Sequence, residues 1–156
     1  MNGPDGFGSD PELTEHIGTT ILDLLALTLG AGRDASAIAR MRGLRAARVQ
    51  EILAEIRSGF AEPTFTADAV AAKLAMSPRY VQELLQETGS TFTERVLELR
   101  LQKARGMLGR SRYNRLKVSD VAFACGFNEV SYFNRCFRRR FSASPTEYRG
   151  EAQAQV

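Results

Sequence analysis

The sequence predicts an all-α protein, and three observations carry that reading. Apolar residues recur at helical spacing in each long segment, no stretch shows the period-two alternation of a strand, and capping residues stand where helices would begin. The expected architecture is two helix-turn-helix subdomains joined by a long linker helix, with an amphipathic helix at the N-terminal end. The boundaries drawn from the pattern are 1–40 for a tail and apolar helix, 41–90 for the first subdomain and 91–108 for the linker helix. The second subdomain follows at 109–150 and a tail at 151–156.

Met1–Ser9 is rich in Gly, Asp and Asn and is expected to be disordered. Asp10 is placed to cap a helix that begins at Pro11, with Glu12 and Glu15 complementing its dipole. Leu13, Ile17, Ile21, Leu24, Leu25 and Leu29 form one apolar face, broadened by Leu22 and Leu27, and Gly30-Ala31-Gly32 is expected to end the helix. With Glu15, His16 and Asp23 inside it, this helix is a poor membrane span, and it lacks the basic start and cleavage site of a signal peptide. No membrane partner is expected. Two readings of its apolar face stand: docking onto the Leu44–Phe60 stretch of the same chain, or pairing as a homodimer through Pro11–Leu29. The width of the face favours pairing.

Leu44, Val49, Ile52, Leu53, Ile56 and Phe60 recur at helical spacing and predict the helix that roofs the first unit. Thr66 or Asp68 then starts a short helix. Ser77 caps the next, with Pro78 at its first position and Gly89 beyond its end. In Thr91–Leu108, Thr91-x-x-Glu94 is a capping box, and Phe92, Val96, Leu99, Ala104, Met107 and Leu108 give the apolar stripe. Glu94, Arg95, Glu98, Arg100, Lys103 and Arg105 surround that stripe as a charged face. At ~1.5 Å per residue this helix is a rod of roughly 25 Å.

Val118–Arg149 repeats the arrangement. Ser119 is the expected cap of a helix whose inner residues are Val121, Ala122 and Cys125, and Gly126 supplies the freedom a sharp inter-helix turn needs. Asn128 is the expected cap of the following helix. Tyr132, Phe133, Cys136 and Phe137 share its inner face, leaving Glu129, Val130, Ser131, Asn134, Arg135, Arg138 and Arg139 outside. Ser144-Pro145-Thr146-Glu147 is a second capping box. Val70–Ser77 parallels Val121–Asn128 at an offset of 51, and Val81, Leu84 and Leu85 parallel Phe133, Cys136 and Phe137 at 52. Such self-similarity argues for two related units.

The second unit resembles the C-terminal half of the DNA-binding domain of AraC/XylS-type transcriptional regulators. The resemblance is carried by Val121-Ala122, Gly126-Phe127, Tyr132-Phe133, Arg135, Phe137, Phe141, Pro145 and Tyr148-Arg149. Ser142 departs from it, standing where the family usually has glycine, which implies a slightly different turn. The resemblance implies two major-groove helices and a double-stranded DNA partner, with RNA polymerase as a further candidate. The unpaired cysteines suit a reducing cytoplasm, and no catalytic constellation stands out, so no enzymatic activity is expected. Longer members carry an effector domain for which this sequence has no room. The expectation is therefore a compact regulator or the C-terminal piece of a longer protein, with Pro11–Leu29 as a pairing helix or sensor remnant.

Charge agrees with that implication. Residues 1–40 hold two basic and six acidic residues, whereas residues 41–156 hold nineteen basic and twelve acidic. Such asymmetry points to a polyanionic partner for the second part. The base-contacting set is expected to be Arg79, Gln82 and Glu83 on the first recognition helix and Val130, Ser131, Asn134 and Arg135 on the second. Arg135 matches a base-contacting position of the family. Glu83, where many relatives are basic, either accepts from cytosine or holds a neighbouring arginine. Ser77, Gln86, Asn128, Arg138, Arg139 and Arg149 are assigned to phosphates. Arg140 either joins that group or points away, because consecutive helical positions cannot all meet one strand.

Other chemistry finds little footing. His16 is the sole histidine, and Cys125 and Cys136 stand eleven apart with no CxxC, so neither a metal site nor a cofactor is expected and buried thiols are the better reading. The competing function is a protein-interaction module pairing through the N-terminal helix, with only non-specific DNA contacts.

Overall fold

The computed structural model describes residues 11–154, and among these every regular element is helical. The order is α1 (Pro11–Gly59), α2 (Ala67–Lys73), α3 (Pro78–Glu87), α4 (Phe92–Leu108), a single 3-10 turn at Ser111–Tyr113, α5 (Val118–Ala124), α6 (Val130–Phe141) and α7 (Pro145–Ala154). The expectations for Met1–Ser9 and for an Asp10 cap lie outside the described residues. So do those for the side chains of Leu13, His16, Ile17 and Leu27. The chain divides into two units, residues 1–45 and 46–156.

In the first unit, the helix stop expected at Gly30-Ala31-Gly32 is overturned, because α1 passes through these residues without interruption. A glycine inside a helix costs only about 1 kcal/mol, and with helix-forming neighbours and no proline behind it that is too little to end the helix. Ile21, Leu22, Leu24, Leu25 and Leu29 are each more than half exposed. Leu44, expected among the roofing residues, is also exposed.

The second unit is built around two cores that share α4. The first gathers Ile52 and Ile56 of α1, Val70 and Ala71 of α2, and Val81, Leu84 and Leu85 of α3 against Val96. The other gathers Val121, Ala122 and Cys125 around α5 with Phe127, Phe133, Cys136 and Phe137, against Leu101, Ala104 and Leu108 of α4. Phe92 and Leu99 join the first core and Leu97 and Met107 the second, so the apolar stripe of the linker helix turns from one core to the other along its length. Leu101, absent from the stripe read in the sequence, is 3% exposed.

Helix starts follow local chemistry. The Thr66 hydroxyl accepts from the Ala69 N–H at 3.2 Å, and the Ser77 hydroxyl from the Tyr80 N–H at 3.2 Å. The Thr91–Glu94 box closes in both directions, at 2.8 and 3.3 Å, and Ser144–Glu147 does the same at 2.7 and 3.3 Å. These backbone N–H donors favour the ionised carboxylates and hold the Glu94 and Glu147 carboxyls below the ordinary range. Two expected caps are corrected. Ser119 lies inside α5, where Lys117 is the cap residue and its N–H donates to the Asp120 carboxylate at 2.9 Å. Asn128 is not the cap of α6, because Phe127 is pinned by its N–H to the Ala122 carbonyl and the chain runs extended through Glu129 before the helix begins.

Candidate nucleic-acid interface

Each helix-turn-helix unit reduces to a helix, a one-residue left-handed turn and a second helix. In the first, Ala75 adopts φ 51° and the Met76 N–H returns to the Ala71 carbonyl at 2.8 Å. In the second, Gly126 adopts φ 92° and the Phe127 N–H returns to the Ala122 carbonyl at 3.1 Å. These are the same bond at the offset of 51 found in the sequence, so the internal repeat is a repeat of backbone geometry.

The second helix of each pair buries one face and leaves the other to solvent. On α3, Val81, Leu84 and Leu85 are buried while Arg79, Gln82, Glu83 and Gln86 are exposed, together with the capping Ser77. The Arg79 Nε donates to the Glu83 carboxylate at 2.9 Å, which raises the arginine's proton affinity further. Of the two roles foreseen for Glu83, holding a neighbouring arginine is the one formed here. Gln82 and Gln86 border an open hollow with Thr66, Thr91 and Thr93.

On α6, Phe133, Cys136 and Phe137 are buried, and Ser131, Asn134, Arg135, Arg138 and Arg139 are exposed, as is Asn128 before the helix. Val130 is half-buried, lining an open groove of about 470 Å³ with Asn134, Arg135, Arg138, Ser144, Pro145 and Thr146. Tyr132, expected inside, is 42% exposed, and the Arg135 guanidinium lies 6.0 Å from its ring centre. Phe127 instead occupies the core, its ring 4.9 Å from that of Phe133. Arg138 faces the Glu147 carboxylate at 3.4 Å, in an exposed pairing of the kind that contributes little and leaves the guanidinium available.

The remaining arginines divide by partner. Of the two courses left open for Arg140 the second is taken: it turns away, its fork gripping Glu98 of α4 at 2.8 and 2.9 Å and lowering that carboxyl's pKa. Arg149 requires a correction. Its Nη1 donates to the Leu116 carbonyl at 2.8 Å, and its Nε and Nη2 are buried without a partner, so it ties α7 to the loop before α5 and does not face outward. Arg105 belongs to the charged face expected around the stripe of α4. Arg105 donates to the Tyr148 hydroxyl at 3.1 Å and lies 5.3 Å from the Phe141 ring centre, bracing α7. Cys125 and Cys136 are buried free thiols, and burial pushes the Cys125 thiol up to about 11. A thiol so disfavoured as thiolate is a packing group.

A family model described as a helix-turn-helix domain matches residues 70–151. The chain is 37% identical over 115 residues to the HTH-type transcriptional regulator YijO of Escherichia coli, the match covering 71% of this chain and 40% of that protein. To the transcriptional activator RhaS of Escherichia coli it is 37% identical over 105 residues, covering 67% of this chain and 36% of RhaS. Among solved structures it is similar to the DNA-binding domain of AdpA in complex with a target DNA, with a TM-score of 0.60 and 28% identity. That likeness covers 69% of this chain and 94% of that one. An AraC-type DNA-binding-domain protein of Chromobacterium violaceum matches with a TM-score of 0.60 and 25% identity, over 69% of this chain and 93% of that one. The chain belongs to the AraC-type helix-turn-helix family. It spans well under half the length of these curated relatives. Ser142, where the family usually has glycine, keeps a glycine-like backbone: φ is 60°, and its N–H caps the Arg138 carbonyl at 2.8 Å.

Proposed function

We propose that this chain is a sequence-specific, DNA-binding regulator of transcription that inserts α3 and α6 into successive major grooves of one duplex. The observation that carries the reading is the paired geometry: two turns with the same backbone bond, each presenting a helix whose exposed face holds Arg, Gln, Asn and Ser. Those are the side chains that read base edges and phosphates. The similar AdpA domain was solved on its target DNA. Arg79, Gln82, Val130, Ser131, Asn134 and Arg135 are assigned to bases, with Glu83 setting Arg79. Ser77, Gln86, Asn128, Arg138 and Arg139 are assigned to phosphates. Among the described residues no helix is long and apolar enough to cross a membrane, and a DNA ligand implies work in the cytoplasm. A gel-shift on duplexes drawn from a bound-fragment selection should give specific binding at least ~10³-fold tighter than to a scrambled duplex. Equal affinity for both would leave only non-specific contact.

A homodimer through Pro11–Leu29 is supported by the exposure of Ile21, Leu24, Leu25 and Leu29 on a helix whose first part is acidic. Exposed apolar faces of this width are usually covered, and the acidic charges disfavour DNA as the cover. Leu24→Asp with Leu25→Asp should convert a dimer to a monomer in sedimentation while leaving a cooperative melt. A wild-type chain that is monomeric at high micromolar concentration rejects the dimer.

A further inference from the structure

Midway along α4, where its buried face passes from one core to the other, two cations gather carbonyls from both helix-turn-helix units. The Arg100 Nε donates to the Phe60 carbonyl at 2.7 Å and its Nη2 to the Glu62 carbonyl at 2.9 Å. Both acceptors lie in the turn that follows α1, beyond its last residue Gly59, and the Glu62 carbonyl also accepts from the Phe65 N–H at 3.1 Å. One turn further on, the Lys103 Nζ donates to the Ala124 carbonyl at the end of α5 at 2.7 Å, and the ammonium lies 5.8 Å from the Phe60 ring centre. The same turn presses on the second unit. A Cβ on Gly126 would stand 2.6 Å from the Ala61 carbonyl oxygen and 2.9 Å from the Arg100 Nε.

We propose that Arg100 is a positioning residue that fixes the setting of α3 relative to α6, and thereby decides which spacing between two half-sites the chain accepts. The inference rests on the DNA-reading function proposed above. A guanidinium suits the task because its planar fork meets two carbonyls at once, whereas a lysine in its place supplies one point charge. The hydrophobic contacts hold each unit to its own end of α4. Arg100 is where a polar clasp joins the turn after α1, the helix that roofs the first unit, to the helix shared with the second.

The test is a gel-shift series on duplexes whose two half-sites are moved apart or together one base pair at a time, with a single half-site duplex beside it. One base pair is about a tenth of a helical turn, so a rigid pair of readers should lose about tenfold in affinity per step from its best spacing. Arg100→Gln should bind the single half-site within about twofold of wild type, yet show a spacing profile flattened to less than about threefold, with Arg100→Lys between the two. An unchanged peak in Arg100→Gln overturns the inference, and so does an equal loss on every duplex with the peak retained, which is what simple destabilisation produces. A wild-type chain with no sequence preference on any duplex defeats the function itself, a different outcome from a variant that keeps its peak. Should Arg100→Gln fail to fold, Gly126→Ala against Gly89→Ala reads the same joint. Both place a Cβ on a left-handed backbone, but at Gly89 it meets nothing within 4 Å. A profile flattened in the first and not in the second supports the clasp; identical profiles reject it.

Discussion

The two helix-turn-helix units share a backbone and place their special residues in opposite ways. The first turns on Ala75 at φ 51° and follows its recognition helix with Gly89 at φ 81°; the second turns on Gly126 at φ 92° and follows with Ser142 at φ 60°. Each unit therefore has two left-handed positions and a glycine at only one of them. The neighbours explain why the glycine sits where it does in the second unit. Ala75 and Ser142 are exposed, so their side chains meet only the modest strain of the conformation, whereas Gly126 is buried against the Ala61 carbonyl. The fold demands the dihedral angle, and packing alone demands the missing side chain.

Their cores differ as well. Around α3 the buried set is aliphatic, while around α6 the rings of Phe127, Phe133, Phe137, Phe141 and Tyr148 pack in a chain of contacts. Phe137 sits inside that chain, with ring centres at 5.5 Å to Phe133, 4.7 Å to Phe141 and 5.8 Å to Tyr148. Leu85 is its counterpart in the first unit. Phe137→Ala should cost about 3–5 kcal/mol in denaturant unfolding, and Leu85→Ala should fall nearer ~2–3 kcal/mol. Equal losses from the pair would show that the ring contacts add nothing beyond buried area.

The recognition helices carry the contrast to DNA. At the offset of 52, Gln82 corresponds to Asn134 and Glu83 to Arg135. Among the described residues no carboxylate pairs with Arg135, whereas Arg79 is tethered to Glu83 at 2.9 Å. Arg135→Ala should relax preference at one base position by ~1–3 kcal/mol, because a bidentate contact to guanine would be lost. Glu83→Gln should shift affinity less, by freeing Arg79 from its partner. Arg138→Ala or Arg139→Ala should leave sequence preference intact and reduce the salt slope by ~0.9. If Arg135→Ala weakens all sequences alike, α6 reads no base through it and the two helices differ less than their charges imply.

Much of this was legible in the residues. Ser77, Thr91 and Ser144 combine a hydroxyl with a start signal close behind and cap as expected, and of the two candidates Thr66 and Asp68 it is Thr66 that caps. Ser119 and Asn128 have the right chemistry but stand beside a competing start, at Lys117–Asp120 and at Glu129, which local propensity could not rank. The Gly30–Gly32 stop was misjudged because glycine lowers helix stability without by itself ending a helix. Arg100 and Arg149 were hidden for a different reason. Their partners are backbone carbonyls 40 and 33 residues away, and no side-chain pattern announces a carbonyl. The site's outward face was readable because it follows from helical period; its internal clasps come from tertiary approach.

The smallest expected effect tests the opposite placement of glycine directly. Ser142→Gly relieves an L-residue held at φ 60° in a helix-ending position where glycine is the usual occupant, and among the described residues its one hydrogen bond is the backbone N–H to the Arg138 carbonyl, which glycine keeps. Against the relief stands the greater freedom glycine gives the unfolded chain. The net should be a gain of roughly 0.5–1 kcal/mol, read as a higher thermal midpoint with unchanged DNA preference. Ala75→Gly, at an exposed turn with φ 51°, should behave alike within a few tenths of a kcal/mol. Gains at both positions would mean that each unit tolerates its non-glycine residue at a small cost in stability. A loss at Ser142 with a gain at Ala75 would mean that the serine side chain contributes to the turn, and the symmetry between the units would then stop at the backbone.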